Sequence, residues 1–289
     1  MSLASIQDVQ WPGTGRKPYD LATSNADYPL RNGMPHRTIL ICTHPRSGST
    51  LLGEGLYHAG GMGCPIEYFH RGFRPGLALR WGAFDIQSYI QSVYRLRTDT
   101  NGVLSVKLFW GDVYDMVNEC FPSQFDDFFE GPAESASPAV YLELRKRLET
   151  IFPNPAFIYL TRLDRVRQAV STVIAKQTNL WRSIPGVGEQ KPQCETSYDY
   201  DEIMYSLSYA DFCNAHWKRF FQMTGVPVYN LVYEDIARDY QGSLSGLFKY
   251  LGCPRLLAQP VRMRQQSDAK SEKMVLRFLN EYKHRTCKQ

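Results

Sequence analysis

Residues 38–50 read TILICTHPRSGST, a short apolar run followed by a turn rich in hydroxyl groups. The apolar part, residues 38–42, has the β-branched and aliphatic composition of a strand buried in a parallel sheet. A helical pattern follows over residues 51–57 and is closed by Gly60 and Gly61. The stretch therefore predicts a strand, a tight loop and a helix in immediate succession.

The loop of this unit carries groups that bind anions. Where a strand leads directly into a helix, backbone N–H groups and the positive end of the helix dipole converge on one point. Gly48 permits close approach of a ligand, while Ser47, Ser49 and Thr50 add backbone amides and hydroxyl groups. Arg46 supplies a permanent positive charge. We expect an anion here; the alternative is a turn that only caps the helix.

Two well-known phosphate loops do not fit these residues. A Walker loop, G-x-x-x-x-G-K-[ST], aligned on Gly48 would place its first glycine at Thr43 and its lysine at Ser49. The missing lysine argues against an enzyme that splits ATP or GTP. A Cys-x5-Arg phosphatase loop starting at Cys42 would need arginine at position 48.

The rest of the chain repeats the alternation of strands and helices. Strand patterns cover residues 103–109, 156–161 and 226–232, and helical patterns cover residues 112–120, 141–152, 164–177, 201–224, 240–251 and 270–283. Strands separated by helices predict an α/β fold, with a central, mainly parallel sheet flanked by helices on both faces.

The domain organisation is predicted to be simple. Residues 1–36 are rich in Pro, Gly, Asn and Asp and read as an irregular N-terminal arm. No boundary interrupts residues 37–289, which we expect to form a single domain. Residues 182–200 lack periodicity and are long enough to act as an active-site lid or a partner-binding loop.

Composition narrows the class of protein further. Hydrophobic residues make up 43% and charged residues 21% of the 289 residues, as in ordinary globular proteins. A net charge of +4 suits a local anion pocket better than a surface that coats nucleic acid. Seven scattered cysteines without a Cys-x-x-Cys pair predict reduced thiols, and six scattered histidines suggest no metal. We find no signal peptide or membrane span and expect a cytoplasmic protein.

Further stretches, in order between Thr38 and Tyr282, match a known family together with the loop. They are GCPIEYF at 63–69, KLFW at 107–110, Arg162 with Asp164, Gln168, Ala169, Val170 and Ser171, Gln177 with Trp181 and Arg182, and Arg264 with Gln265. The chain resembles sulfotransferases that use 3′-phosphoadenosine 5′-phosphosulfate (PAPS), specifically bacterial trehalose 2-sulfotransferases and their lipopolysaccharide-type relatives. The resemblance implies a P-loop-like three-layer fold, PAPS as donor, 3′,5′-ADP as product and a carbohydrate or glycolipid acceptor. Such proteins often dimerise, so a homodimer is also expected.

A second anion site can be argued from spacing. Arg162 follows the strand at residues 156–161, Asp164 is suited to cap the next helix, and Ser171 lies two helical turns beyond Asp164 on the same face. Arg162 and Ser171 can therefore hold one anion between a loop and a helix. The resemblance implies that this anion is the 3′-phosphate of PAPS. The alternative is a surface ion-pair arginine and a helix serine without a ligand.

The family likeness assigns Arg46 to the phosphosulfate and the departing phosphate. The nearby candidates for a general base are Glu54, Glu67, His44, His58 and His70. We choose Glu67, because it matches the acceptor-side glutamate of the family and its proline-rich, aromatic setting should raise the pKa. His70 is the alternative base, and Glu54 is expected to face solvent or a basic partner.

Four further residues are candidates for binding the acceptor: Pro65, Phe69, Lys107 and Trp110. The alternatives are burial in the core for Phe69 and Trp110 and solvation for Lys107. By resemblance, Arg264 and Gln265 close over the nucleotide. A noncatalytic nucleotide- or polyanion-binding protein and a P-loop nucleotide kinase remain as competing functions.

Overall fold

A computed structural model of the protein describes residues 20–125, 128–183, 194–263 and 268–287. Within these ranges one sheet is formed by β1 (Arg37–Thr43), β2 (Val103–Phe109), β3 (Pro155–Thr161) and β4 (Val228–Val232). The strand order is β2-β1-β3-β4, and all three pairings are parallel. The predicted parallel sheet is confirmed. Because the strands are parallel, the loops that follow them all lie at one edge of the sheet.

The helices of the described residues surround this sheet. They are α1 (Ser49–Ala59), α2 (Arg74–Trp81), α3 (Ile86–Arg97), α4 (Trp110–Cys120), α5 (Pro138–Ile151), α6 (Arg165–Thr178), α7 (Tyr200–Thr224), α8 (Tyr233–Arg238), α9 (Tyr240–Tyr250) and α10 (Ala269–Thr286). Seven of them agree with predicted helices to within a few residues at each end, and α2, α3 and α8 lie outside the predictions. Over the described ranges, every helix is too short or too polar to span a bilayer.

Helix α3 has clear sequence signals although it is absent from the predicted helices. The carboxylate of Asp85 accepts the backbone N–H groups of Gln87 and Ser88 at 3.0 and 2.9 Å, which caps the first turn. Its buried positions, among them Tyr89 and Val93, recur at helical spacing. The helix packs beside α2 and α4 and so forms part of the wall on the β2 side of the sheet.

Both faces of the sheet are covered, which confirms the three-layer arrangement. Alternate residues of β1 enter opposite cores: Leu40 and Cys42 join the larger one, whereas Ile39 and Ile41 join the smaller one. Helices α3, α4, α5 and α7 contribute to the larger core, and α1, α8 and α9 to the smaller one. A third apolar cluster joins α6, α7 and α10 beside the sheet.

The described part of the N-terminal segment packs on the core as an irregular cap. Residues 20–36 form two short 3-10 turns, and Leu21 is buried against the larger core. Asp27 pairs with Arg80 at 2.8 Å and with the fully buried Arg97 at 2.9 Å. The segment is therefore fixed to α2 and α3 by charge as well as by apolar contact.

Candidate active site

The turn between β1 and α1 contains two residues in the left-handed backbone region. Gly48, which immediately precedes α1, has a φ of 82°, and Arg46 has a φ of 65°. A Cβ on Gly48 would overlap the ring of Tyr233, so both the backbone conformation and the space require glycine. A non-glycine residue in this region stores strain, and such strain concentrates at binding sites. The loop therefore has a defined shape at the N-terminus of α1.

Hydroxyl groups inside the loop maintain this shape. Thr43 Oγ1 donates to the carbonyl of Leu160 on β3 at 2.7 Å and lies 2.7 Å from Ser47 Oγ. Ser47 is almost fully buried, and its hydroxyl also bonds to the carbonyl of His44. The Ser47 hydroxyl is thus used within the protein, which leaves its backbone N–H as the group suited to an anion.

Arg46 connects the loop to the second predicted motif. Its Nε donates to Ser171 Oγ on α6 at 2.9 Å, and its Nη1 donates to the carbonyl of Trp181. In return, the Arg46 carbonyl accepts a hydrogen bond from Arg162 Nη1 at 3.1 Å. The structure therefore brings Arg46, Arg162 and Ser171 together at the carboxyl edge of β1 and β3.

Helix α6 is placed for this contact by its first turn. Asp164 is the N-cap, as predicted, and its carboxylate accepts the backbone N–H of Arg167 at 2.9 Å. One turn further, Gln168 Nε2 donates to the carbonyl of Pro45 at 2.8 Å. Ser171 follows on the same face of the helix. The loop after β1 and the start of α6 are therefore held together by hydrogen bonds within the protein itself.

Two residues after β4 complete this edge, and neither is among the sequence candidates. The guanidinium of Arg162 lies over the ring of Tyr233 at 4.8 Å, with its Nε 4.0 Å from Glu234. The Glu234 carboxylate accepts the backbone N–H groups of Leu163 and Asp164 at 3.0 and 3.1 Å. The sequence signal for Tyr233 and Glu234 is their position directly after a predicted strand, where parallel sheets assemble their sites.

On the other side of the loop, a buried ion pair joins Glu67 to β2. Lys107 Nζ lies 2.8 Å from Glu67 Oε1 and 3.5 Å from Thr50 Oγ1 at the start of α1. Lys107 is 1% exposed and Glu67 is 8% exposed. The backbone N–H of Lys107 also donates to the carbonyl of Ile66, so the Glu67 segment lies directly against β2. A solvated role for Lys107 is excluded by this burial.

The protonation behaviour of Glu67 differs from the sequence expectation. Burial raises the pKa of the Glu67 carboxyl, but the charge and hydrogen bond of Lys107 lower it. Nearby His70 lowers it as well, and together these effects outweigh burial. The pKa therefore lies below its ordinary value of 4.5. The expectation of a raised pKa is wrong. Lys107 lies on β2, about 40 positions beyond Glu67 in the chain, so the residues next to Glu67 give no sign of its charge. Glu67 is ionised at neutral pH.

The two histidines of this region are less suited to accept a proton. His70 Nδ1 accepts the backbone N–H of Gly72 at 2.9 Å, so the neutral ring carries its hydrogen on Nε2. His44 is buried beside Tyr209, and burial, with the charges of Arg165 and Lys176, lowers its pKa to about 3. Neither ring is a better proton acceptor than the Glu67 carboxylate, whose role as base stays a prediction.

A second buried carboxyl, Asp112, lies close to Glu67. It occupies the first turn of α4 and is 5% exposed. Burial raises its pKa well above the ordinary value, the negative charge of Glu67 raises it further, and the backbone N–H of Phe109 partly opposes both. The environment therefore shifts the pKa values of the two neighbouring carboxyls in opposite directions, that of Glu67 downward and that of Asp112 upward. Asp112 is not among the sequence candidates. The signal that could have indicated it is its position just after β2, the strand that contains Lys107.

Comparison with known proteins identifies the family. Residues 38–281 match the model of the family described as Stf0 sulphotransferase. The chain belongs to this family. The match begins in β1 and ends within α10, so it spans the loop after β1, the Arg162 to Ser171 motif, the Glu67 segment and all four strands of the sheet. The family resemblance seen in the sequence is confirmed.

Two curated proteins are similar to this sulphotransferase along most of its length. The trehalose 2-sulfotransferase of Mycobacterium tuberculosis (strain ATCC 35801 / TMC 107 / Erdman) is 24% identical over 269 residues, 84% of this chain and 94% of that protein. The enzyme of the same name from Mycolicibacterium smegmatis (strain ATCC 700084 / mc(2)155) is 26% identical over 270 residues, 83% of this chain and 93% of that protein.

Two solved sulfotransferase domains are also similar. One, from the curacin biosynthetic pathway, is 16% identical with a TM-score of 0.37, and the alignment covers 83% of each chain. The other, from the Synechococcus PCC 7002 olefin synthase, is 14% identical with a TM-score of 0.36, covering 85% of this chain and 86% of that domain.

In this sulphotransferase, three of the acceptor candidates are surrounded by protein. Phe69 packs edge-on against Tyr89 and Phe152, and Trp110 stacks on His216 at 4.8 Å. Both aromatic side chains are at most 3% exposed. Pro65 is buried with its carbonyl against α1. These positions favour structural roles for Phe69 and Trp110, the alternative stated for them above.

Glu54 faces basic partners, which was one of the two settings expected for it from the sequence. Its carboxylate is buried in α1, with Oε1 2.8 Å from Arg182 Nη1 and Oε2 2.7 Å from Arg262 Nη2. His58 Nε2 lies 4.0 Å away. Since the carbonyl of Trp181, next to Arg182, accepts a hydrogen bond from Arg46, the Glu54 carboxylate fixes two distant parts of the chain beside the loop after β1.

Arg264 and Gln265 lie outside the described residues, as do residues 184–193 of the predicted lid or partner loop. Among the residues that are described, no group of three or more His, Cys, Asp or Glu side chains is arranged to share a metal ion.

Proposed function

We propose that this family member transfers a sulfonate group from PAPS to a hydroxyl of a carbohydrate or glycolipid. The observation that carries the proposal is the hydrogen-bonded set of Arg46, Arg162 and Ser171 at the sheet edge. Two guanidinium groups and the N-terminus of α1 give this edge the charge that a donor with two phosphate-bearing ends requires. The ionised Glu67 lies on the acceptor side of the same loop.

The residues present fit a nucleotide with a second phosphate. Gly48, with a φ of 82°, turns the chain into the N-terminus of α1, where backbone N–H groups and the helix dipole suit an anion. We assign the phosphosulfate end to Arg46 and the backbone N–H groups of Ser47 to Thr50. The 3′-phosphate is assigned to Arg162 and Ser171, whose Oγ already accepts a charged donor. Arg264 and Gln265 remain proposed nucleotide contacts on family likeness alone.

At the acceptor end, Glu67 is proposed as the general base. In the reaction, the bond between sulfur and the donor phosphate oxygen breaks, its electron pair stays on that oxygen, and a bond forms between sulfur and the acceptor oxygen. The hydroxyl proton passes to the Glu67 carboxylate. Lys107 orients this carboxylate and keeps it ionised, and Arg46 offsets the charge that develops on the departing phosphate.

For the acceptor, the names of the two curated relatives support a neutral disaccharide as the first compound to test. Because these relatives are only 24% and 26% identical to the chain, the panel should include other saccharides and glycolipids. Residues 37–289 are proposed to act as one catalytic domain, with residues 1–36 as an N-terminal arm. We also propose that the protein is cytoplasmic and forms a homodimer. Cell fractionation and analytical ultracentrifugation test these two points.

The proposal is tested first by ligand binding. PAPS and 3′,5′-ADP should raise the melting temperature more than 5′-AMP and ATP do, because 3′,5′-ADP differs from 5′-AMP only by the phosphate assigned to Arg162 and Ser171. Sulfonate transfer is then followed by mass spectrometry across the saccharide panel. Equal stabilisation by 3′,5′-ADP and 5′-AMP would contradict the donor assignment. Tight PAPS binding without transfer to any acceptor would favour the noncatalytic alternative.

A further inference from the structure

The turn between β3 and α6 carries the arginine assigned to the 3′-phosphate, yet it has little apolar anchoring. It consists of Arg162, Leu163 and Asp164, which link the end of β3 to the first residue of α6. The side chain of Leu163 is 69% exposed, so it does not fix the turn to the core. The position of the Arg162 guanidinium therefore depends on polar contacts.

Glu234, in the first turn of α8, supplies two of these contacts. Its Oε2 accepts the backbone N–H of Leu163 at 3.0 Å, and its Oε1 accepts that of Asp164 at 3.1 Å. Because β3 and β4 pair side by side, with Thr161 opposite Val232, the carboxylate lies directly next to the turn. One side chain thus holds two successive peptide groups that are 71 and 70 positions away in the chain.

The same carboxylate faces Arg162 without using its N–H groups. Glu234 Oε1 lies 4.0 Å from Arg162 Nε, which is too far for a hydrogen bond. That Nε is buried and has no hydrogen-bond partner among the described residues, while Nη1 donates to the carbonyl of Arg46. The guanidinium also lies over the ring of Tyr233 at 4.8 Å. It is therefore fixed in place and still has N–H groups to offer a ligand.

Charge and geometry make opposite predictions for this carboxylate. A negative group close to Arg162 weakens the attraction of the guanidinium for a phosphate, so removing the charge alone would strengthen anion binding. A carboxylate that fixes the turn has the contrary effect, because a displaced guanidinium is no longer preorganised for the ligand. The two hydrogen bonds to the turn are direct, whereas the charge pair is longer, at 4.0 Å, and Glu234 is 34% exposed. Positioning therefore outweighs repulsion.

We propose that Glu234 is a positioning residue for recognition of the 3′-phosphate, and that it acts through Arg162 without touching the donor. The inference rests on the proposed function and deepens it, because it identifies what makes the site selective for a nucleotide that carries a 3′-phosphate. Its distinctive consequence is that loss of a negative charge beside the site lowers the affinity for an anion.

The test is isothermal titration calorimetry of the full chain with 3′,5′-ADP and 5′-AMP. Glu234→Gln keeps the length of the side chain but replaces one acceptor oxygen by an NH2 group. The variant should bind 3′,5′-ADP about tenfold more weakly, whereas binding of 5′-AMP should change by less than about twofold. Asp235→Asn is the matched control and should leave both affinities unchanged, because Asp235 is the next residue of α8, is exposed and pairs with Arg238 on its own helix.

Glu234→Asp is a milder variant that separates charge from geometry. It keeps the negative charge but is one CH2 group shorter, so its carboxylate no longer reaches both N–H groups of the turn. Binding of 3′,5′-ADP should weaken about threefold or more, with 5′-AMP again little changed. Wild-type affinity for 3′,5′-ADP in this variant would overturn the inference.

A double-mutant cycle distinguishes positioning from general stability. If Glu234 acts through Arg162, Glu234→Gln should change the 3′,5′-ADP affinity by less than about twofold in a protein that already carries Arg162→Ala. In steady-state assays, Glu234→Gln should raise the KM for PAPS and leave kcat at saturating PAPS within about twofold of the wild-type value. The melting temperature without nucleotide checks that each variant is folded.

Three results would contradict the role of Glu234. Tighter or unchanged 3′,5′-ADP binding in Glu234→Gln would show that the carboxylate only balances charge. Equal losses for 3′,5′-ADP and 5′-AMP, or fully additive losses in the cycle, would assign Glu234 to folding alone. The proposed function fails separately, if the wild type itself does not prefer 3′,5′-ADP to 5′-AMP.

Discussion

Arg46, in the turn after β1, donates through Nε to the hydroxyl of Ser171 on α6 at 2.9 Å. The two residues are 125 positions apart in the chain and belong to the two separate motifs assigned to the ends of one nucleotide. The motifs are therefore not independent pockets. A ligand that binds one of them meets side chains already positioned by the other, which is a form of preorganisation.

Ser171→Ala should weaken 3′,5′-ADP binding about threefold to tenfold, since one hydrogen bond to a charged group is worth about 1 kcal/mol or more. The affinity for 5′-AMP should change little, because it lacks the phosphate assigned to Ser171. Ser245→Ala, at an exposed position of α9, provides the control. Calorimetry with both nucleotides decides the matter, and a similar loss for both would assign Ser171 to loop structure alone.

Gly48→Ala should abolish most donor binding and lower the melting temperature. Gly33 gives a matched comparison, because it has the same φ of 82° but a Cβ added there would meet nothing within 4 Å. Gly33→Ala should lower the free energy of unfolding by only about 1 kcal/mol from backbone strain. The extra effect at Gly48 measures the overlap with Tyr233. Equal effects in urea unfolding would show that this overlap is relieved without consequence.

Glu67→Gln should reduce kcat about 100-fold or more while the affinity for 3′,5′-ADP stays the same. The amide preserves the shape of the side chain but cannot accept the hydroxyl proton. Because the pKa of Glu67 is lowered, the acid limb of kcat/KM in the wild type should lie at a lower pH than an ordinary glutamate would give. Turnover at the wild-type rate in the variant would show that another group acts as the general base.

Lys107→Met should move the acid limb of the kcat/KM profile to higher pH. Lys107 is the main group that lowers the pKa of Glu67, and without it burial alone would raise that pKa. In the wild type, the stabilisation from this ion pair is complete above pH 4.5 and is lost as the pH falls through the lowered pKa. The measurement is kcat/KM against pH, with 3′,5′-ADP binding as the check on folding. An unchanged acid limb would contradict the assignment of Glu67.

Glu54→Gln should destabilise the protein strongly. The carboxylate pairs with Arg182, whose side chain is 10% exposed, and with Arg262, which is 34% exposed. Leaving a buried guanidinium uncompensated costs about 3–5 kcal/mol, of which the more exposed Arg262 contributes little. Glu149→Gln, which removes a half-exposed pair with Arg145, should cost less than about 1 kcal/mol. Equal unfolding midpoints for the two variants would contradict the structural role of Glu54.

Much of the fold is legible in the sequence because the decisive signals are local. β2 has the predicted bounds, Val103–Phe109, since a strand buried on both faces is a continuous apolar run. The loop from Thr43 to Thr50 and the Asp164 cap are likewise recognisable from neighbouring residues. Helix α3 carries its own cap at Asp85 and a buried stripe, so its omission reflects an overlooked local signal and not a tertiary effect.

The site's electrostatics depend on pairings that no local pattern contains. The sequence alone determined where the two turns proposed to bind anions fall and that they share one sheet edge, because parallel strands all point the same way. Only the tertiary structure decided that Lys107 lies against Glu67, that Arg46 holds Ser171, and that Glu54 holds Arg262 from 208 positions away. Periodicity and capping act within a few residues, whereas burial and Coulomb interactions depend on distances in space, which folding alone establishes.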